Sequence, residues 1–157
     1  MVSAWRYAHR HRNQPIKVRD ILALGRLIEP EVNNNGFRQV GVRVGASVKM
    51  DWRGVPDAIS RLVEHQPAIG DEQGAAEFFK AYEDPIHPFR DGNGRTGSIL
   101  HNWIRGSLHD PIHPPDYWND WRRQYVGYPQ PTDQIVEIPP SQDLLDLYVW
   151  QFENERL

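Results

Sequence analysis

Residues 86–97 read Ile-His-Pro-Phe-Arg-Asp-Gly-Asn-Gly-Arg-Thr-Gly, and their types and order describe an anion site with a base beside it. Gly92 and Gly94 allow the backbone to turn successive N–H groups toward one point, a nest that holds phosphate oxygens. A helix beginning just after Asn93 aims its positive end at the same point. Arg95 in the first turn of that helix opposes the dipole, a cost that makes sense where a phosphate pairs with it. Asp91 is a hard oxygen ligand beside the nest, suited to a Mg²⁺ that bridges phosphates. His87 titrates near neutral pH and can take a proton from a hydroxyl nucleophile. Phe89 is expected to point into the core and fix the loop.

The elements that must position these groups are mostly helical. Val18 to Ile28 spaces Ile21, Leu22, Leu24, Leu27 and Ile28 as a helix does, with Pro30 as a stop. Val55 to Glu64 opens on Pro56 and carries Ile59, Leu62 and Val63 on one side. Asp71 caps a helix that runs to Tyr82, and Ile99 to Leu108 predicts another between Gly97 and Pro111. Further helices are expected over Asp116–Tyr125 and from Ser141 through Phe152. Phe37 to Val44 alternates instead, with Val40, Val42 and Val44 on one side, which is the period of a half-buried strand. A lone strand leaves its backbone unpaired, so a small hairpin is expected, with Ser47 to Met50 as its return. The Pro-rich stretches near 111–115 and 129–140 read as surface loops. The fold class is therefore all-α with a small β-hairpin, and the 157 residues form a single domain, 1–157.

Composition narrows the function further. With 18 Lys+Arg against 21 Asp+Glu the formal net charge is −3, which argues against a general nucleic-acid binder. There is no Cys, so thiol nucleophiles, disulfide scaffolds and zinc ribbons are excluded and any metal must take His or oxygen ligands. Apolar runs are far shorter than a membrane span and no signal-like segment is seen, so a cytoplasmic location is expected, with delivery into a host cell without a cleavable signal as the alternative.

The loop resembles the signature of the Fic family, His-x-Phe-x-Asp/Glu-Gly-Asn-Gly-Arg-x-x-Arg, in His87, Phe89, Asp91, Gly92, Asn93, Gly94 and Arg95. Gly36-Phe37-Arg38 and the alternating valines look like the family's flap. The resemblance covers roughly residues 15–125. It implies a multihelical core with a flap that docks a target protein by strand addition along Phe37–Val44. The implied reaction is AMP transfer from ATP, or another nucleoside triphosphate, to a Ser, Thr or Tyr hydroxyl, with Mg²⁺. Carried over by position, His87 is the general base and Asp91 the metal ligand. Phe89, Gly92, Asn93, Gly94 and Arg95 form the nucleotide-binding set, in which Asn93 and the glycine backbone hold the phosphates and Arg95 neutralises them.

The signature's final arginine falls on Ser98, and a serine supplies no guanidinium fork. The death-on-curing toxin, a phosphorylating relative, also lacks this arginine, although its loop has Ala and Lys where this chain has Gly92 and Gly94. Phosphotransfer and a binding module with little catalysis are the rival readings. The family's inhibitory glutamate pairs with the missing arginine, so Glu153 reads as a solvated helix residue, and an inhibitor is expected from a separate antitoxin-like protein. His109 and His113 flank Pro111 and read as no metal site. His9 and His11 among Arg6, Arg10 and Arg12 read as a solvated face, Trp118, Trp121 and Trp150 as core or interface anchors, and Arg38 and Arg43 as solvated edge charges.

Overall fold

A computed structural model describes residues 1–44, 47–114 and 135–138. The apolar spacing of Val18–Ile28 forms helix α2 over those residues, burying Ile21, Leu24 and Ile28. Val2–His11 forms α1, with Ala4 and Ala8 turned inward one turn apart. Asp20 joins the two. One carboxylate oxygen accepts from the Lys17 N–H at 2.8 Å and the other from the Tyr7 hydroxyl at 2.6 Å. Val55–Glu64 is α3, with Pro56 in its first turn and Val55 and Ile59 buried. Glu72–Ala81 is α4, whose first turn is capped by the Asp71 side chain accepting from the Gly74 N–H at 2.9 Å.

Asn93–Arg105 is α5, and α1, α2 and α4 pack around it. Its buried residues include Asn93, Thr96, Ile99, Leu100, Trp103 and Ile104, so more than one stripe of this helix is covered. Trp103, Leu100 and Ile99 are fully buried, each stabilising by about 1.5–3 kcal/mol through area removed from water. Gly97 sets how close α4 comes: a Cβ there would lie 2.8 Å from a Phe79 ring carbon. The helix begins earlier than the Ile99 expected from periodicity, directly out of the loop, and ends where Gly106 adopts φ 78°. No helix among the described residues is long and apolar enough to cross a membrane.

The flap is shorter than its alternation predicts. Gly41–Val44 forms β1 and Ser47–Val48 forms β2, paired antiparallel with Arg43 opposite Val48. Residues 37–40 are outside the strand because Arg38 is drawn inward. The stretch 129–140, expected to be a surface loop, contains a strand. Ile135–Ile138 forms β3 and pairs antiparallel with the other edge of β1, with Gly41 opposite Ile138 and Val44 opposite Ile135, so the order is β2-β1-β3. Three β-branched residues in four explain its strand preference. The helices expected over Asp116–Tyr125 and from Ser141, and the roles given to Trp118, Trp121, Trp150 and Glu153, lie outside the described residues.

Candidate functional site

Between α4 and α5 the chain first makes a π-helical turn, Tyr82–Ile86, with Pro85 inside it. It then enters His87 at φ 46°, ψ 65°, the one non-glycine residue with positive φ among those described. A left-handed histidine costs roughly 1–2 kcal/mol and persists only where its surroundings hold it. The brace is Arg38, which is 2% exposed. Its guanidinium donates to the carbonyls of His87 at 2.8 Å, Ile86 at 3.2 Å, Val40 at 2.7 Å and Met50. Its own N–H donates to the Pro88 carbonyl at 2.9 Å, and the Met50 N–H donates to that of Pro85 at 2.9 Å. Arg38 is thus no solvated edge charge. It ties the arm of the flap to the backbone on both sides of His87. Arg43, by contrast, is exposed on β1 as expected.

The His87 ring is 4% exposed. Nδ1 lies 2.9 Å from the Glu83 carbonyl oxygen, which can only accept, so Nδ1 carries the hydrogen and Nε2 keeps its lone pair. Nε2 is buried with no hydrogen-bond partner among the described residues. Burial lowers the imidazolium pKa to about 4, and the Lys49 and Arg38 cations push the same way against the Glu83 carbonyl bond and Asp84. The ring is therefore neutral at physiological pH, with its basic nitrogen left bare.

The other side of the loop is the start of α5. Gly92 adopts φ 78° before the first turn, and a Cβ there would lie 2.9 Å from the Ile28 side chain and 3.3 Å from that of Glu29. Only glycine meets both demands. The Thr96 hydroxyl donates to the Gly92 carbonyl at 2.9 Å. Asp91 accepts from the Gly92 N–H through Oδ1, and its carbonyl accepts from Asn33 Nδ2 at 2.9 Å. Gly94 and Arg95 are exposed.

Two of the expected site side chains do other work. Asn93 is buried, and its amide spans the loop: Oδ1 accepts from the Phe89 N–H and Nδ2 donates to the Phe89 carbonyl, both at 2.8 Å. What Asn93 offers an anion is its backbone N–H. Phe89 is fully buried and leans on α2, where a Cβ at Gly25 would lie 2.3 Å from its ring. Its ring centroid is 5.6 Å from that of Phe37. It fixes the loop, with its ring packed between Gly25 and Phe37.

Arg95 lies where a phosphate was expected to pair with it, and acids of this chain pair with it instead. Nη1 is 2.6 Å from Glu29 Oε1 at the end of α2, and Nη2 is 3.4 Å from Asp91 Oδ1. Asp91 has half its side chain exposed. A hard, exposed carboxylate beside a row of N–H groups fits a Mg²⁺ held by one carboxylate, phosphates and water. Among the described residues no group of three or more His, Cys, Asp or Glu side chains could hold a metal without a substrate's oxygens. Ser98 is half-buried, three residues along α5 from Arg95.

Arg38 and Asn33 escaped the sequence reading, and so did an acid–base group behind His87. Glu83 is 8% exposed, with Oε1 3.7 Å from His87 Nδ1 and Oε2 buried without a partner among the described residues. Burial raises its carboxyl to about 7, Lys49 opposing and Asp84 adding to the shift. Lys49 has a fully buried side chain and pairs with Asp84 at 2.7 Å. The sequence signal was there only in the Glu-Asp pair three and four residues before His87.

A family model described as the Fic/DOC family matches residues 15–104. No curated protein matches the chain. The family match spans more than half of the sequence, and the chain belongs to the Fic/DOC family.

Proposed function

We propose, taking Fic/DOC membership as the premise, that this Fic-type transferase moves a nucleoside monophosphate from ATP or another nucleoside triphosphate to a Ser, Thr or Tyr hydroxyl of a protein. The observation that carries this reading is His87, held neutral with a bare Nε2 beside the N–H groups that open α5. The hydroxyl gives its proton to Nε2 as its oxygen attacks the α-phosphorus. The bond from that phosphorus to the bridging oxygen breaks, and pyrophosphate leaves. The backbone N–H groups of Asn93 and Gly94 and the helix dipole take up the charge on the phosphate oxygens. Arg95 exchanges Glu29 and Asp91 for phosphate. Mg²⁺, held by Asp91 and the phosphates, would supply further charge neutralisation.

The target is a protein segment that adds as a strand to β1. That edge carries Ile135–Ile138 of the same chain, so an incoming segment exchanges with β3. A second reading, transfer of the γ-phosphoryl group with ADP leaving, is favoured by Ser98, because no guanidinium stands there to hold a terminal phosphate as leaving group.

The test compares α-³²P-ATP with γ-³²P-ATP, with Mg²⁺, on lysate proteins. Nucleotidyl transfer puts the α label on protein; phosphotransfer puts the γ label there. In His87→Ala the labelling falls by about 10²–10⁴-fold. Unchanged labelling in that variant removes His87 as the base.

A further inference from the structure

The transfer just described asks a histidine with a lowered pKa to accept a proton in a dry site. Burial that keeps Nε2 free also penalises the imidazolium that forms when it works. A compensating negative charge has to stand near the ring, on the side away from the substrate.

We propose that Glu83 is a positioning residue of this site, its carboxylate standing behind His87 as the counter-charge for the imidazolium formed when Nε2 takes a proton. The proposal rests on the reading of His87 as base. Its geometry is threefold. Glu83 contributes its carbonyl to the Nδ1–H bond at 2.9 Å, which fixes the tautomer. Its carboxylate oxygen Oε1 lies 3.7 Å from the same Nδ1, too far for a hydrogen bond and close enough for a strong field in a buried site. Its Oε2 is buried with no hydrogen-bond partner among the described residues, so no hydrogen bond competes with the His87 ring for this carboxylate.

The neighbours set when that charge exists. Lys49, from the strand side, favours the ionised form, and Asp84, on the same turn, opposes it. Arg38 faces the His87 carbonyl from the flap arm. On α5, a Cβ at Gly94 would lie 3.9 Å from Oε1. Arg95 is paired with Glu29 and Asp91. When Glu83 is ionised, proton transfer to Nε2 places the imidazolium beside a carboxylate. When Glu83 is protonated, the same transfer leaves a lone buried cation. Activity therefore rises as pH increases through about 7, and the base limb of His87 lies near 4.

Two measurements test this on the full chain. The first is an NMR titration of the His87 ring in the wild type and in Glu83→Gln, with no nucleotide or target. The expected wild-type curve has two steps, one near 7 from Glu83 and one near 4 from the ring itself. In Glu83→Gln the upper step disappears. A wild-type curve with a single step overturns the proposal even where the variant fails to fold. The second is the pH profile of labelling, in which the wild-type rise through about 7 becomes flat in Glu83→Gln and the rate at pH ~8 falls roughly tenfold. A variant profile that keeps the rise also overturns it. If the two-step titration is seen while His87→Ala still labels protein, the pair stands and the transfer reading falls.

Discussion

His87 and Arg95 stand at opposite ends of one loop, and their surroundings differ in every respect that matters to charge. The His87 side chain is 5% exposed, its basic nitrogen has no partner among the described residues, and burial governs its titration. Arg95 has a side chain 42% exposed and already holds two carboxylates. Exposed pairs of this kind are worth about 0–1 kcal/mol and weaken with salt. Such pairs exchange at little cost, whereas the dry wall around His87 has no exchangeable counterpart. His87 is kept neutral by exclusion of water, and Arg95 sits in exchangeable ion pairs.

The sharpest way to break this contrast is Asn93→Ala. Asn93 holds Phe89 by both backbone groups, and both sides of the loop hang on that residue. Truncation leaves a buried N–H and a buried carbonyl unpaired, so we expect a loss of about 2–4 kcal/mol in denaturant unfolding. Water should reach the ring in the same variant, and the His87 pKa should rise from about 4 toward its ordinary 6.5. A stable variant with an unchanged His87 titration would mean that the loop is held by something else.

A subtler test uses stability against pH. The raised pKa of Glu83 favours the folded state below its unfolded value near 4.5, and that contribution is lost as pH rises to about 7. The lowered pKa of His87 contributes above 6.5, and is lost as pH falls to about 4. Between 4.5 and 6.5 the folded and unfolded states bind equal numbers of protons at this pair, so its net slope is zero. Glu83→Gln removes one half of the balance. Relative to wild type, its unfolding free energy should fall by roughly 1 kcal/mol per pH unit on going from about 7 to 4.5. Parallel curves would show that Glu83 titrates as an ordinary carboxyl in the folded state.

The smallest effect concerns the exposed end. Glu29→Gln leaves Arg95 with Asp91 alone. Stability should change by less than about 1 kcal/mol. Calorimetric affinity for a nucleoside triphosphate should rise a few-fold, and more at low salt than at high. A fall in affinity would mean that Glu29 orients Arg95 rather than competing for it.

Elements with a clear apolar period were legible in the sequence. α2 and α3 span Val18–Ile28 and Val55–Glu64, the limits that apolar spacing and proline placement predict. The signature loop and the start of a helix beside Asn93 were legible because glycine and proline carry backbone meaning wherever they stand. Arg38 was not. Its partners are four carbonyl oxygens, which every residue has, so no pattern of side chains announces it. Phe89 was placed in the nucleotide-binding set by position, and its packing on Gly25 and Phe37 depends on α2 and the flap arriving together. β3 pairs with a strand about ninety residues earlier in the chain, and short apolar runs do not say which partner they will find.

That pairing turns the flap into a contested seat. A strand carried on the same chain presents itself to β1 at an effective concentration on the order of millimolar, without any diffusion to an encounter. A free segment that hydrogen-bonds equally well would need to reach a similar concentration to hold the edge half the time. Backbone pairing along Gly41–Val44 is then a threshold rather than a source of affinity, and under the function proposed above a target segment would clear it through contacts made beyond the ladder.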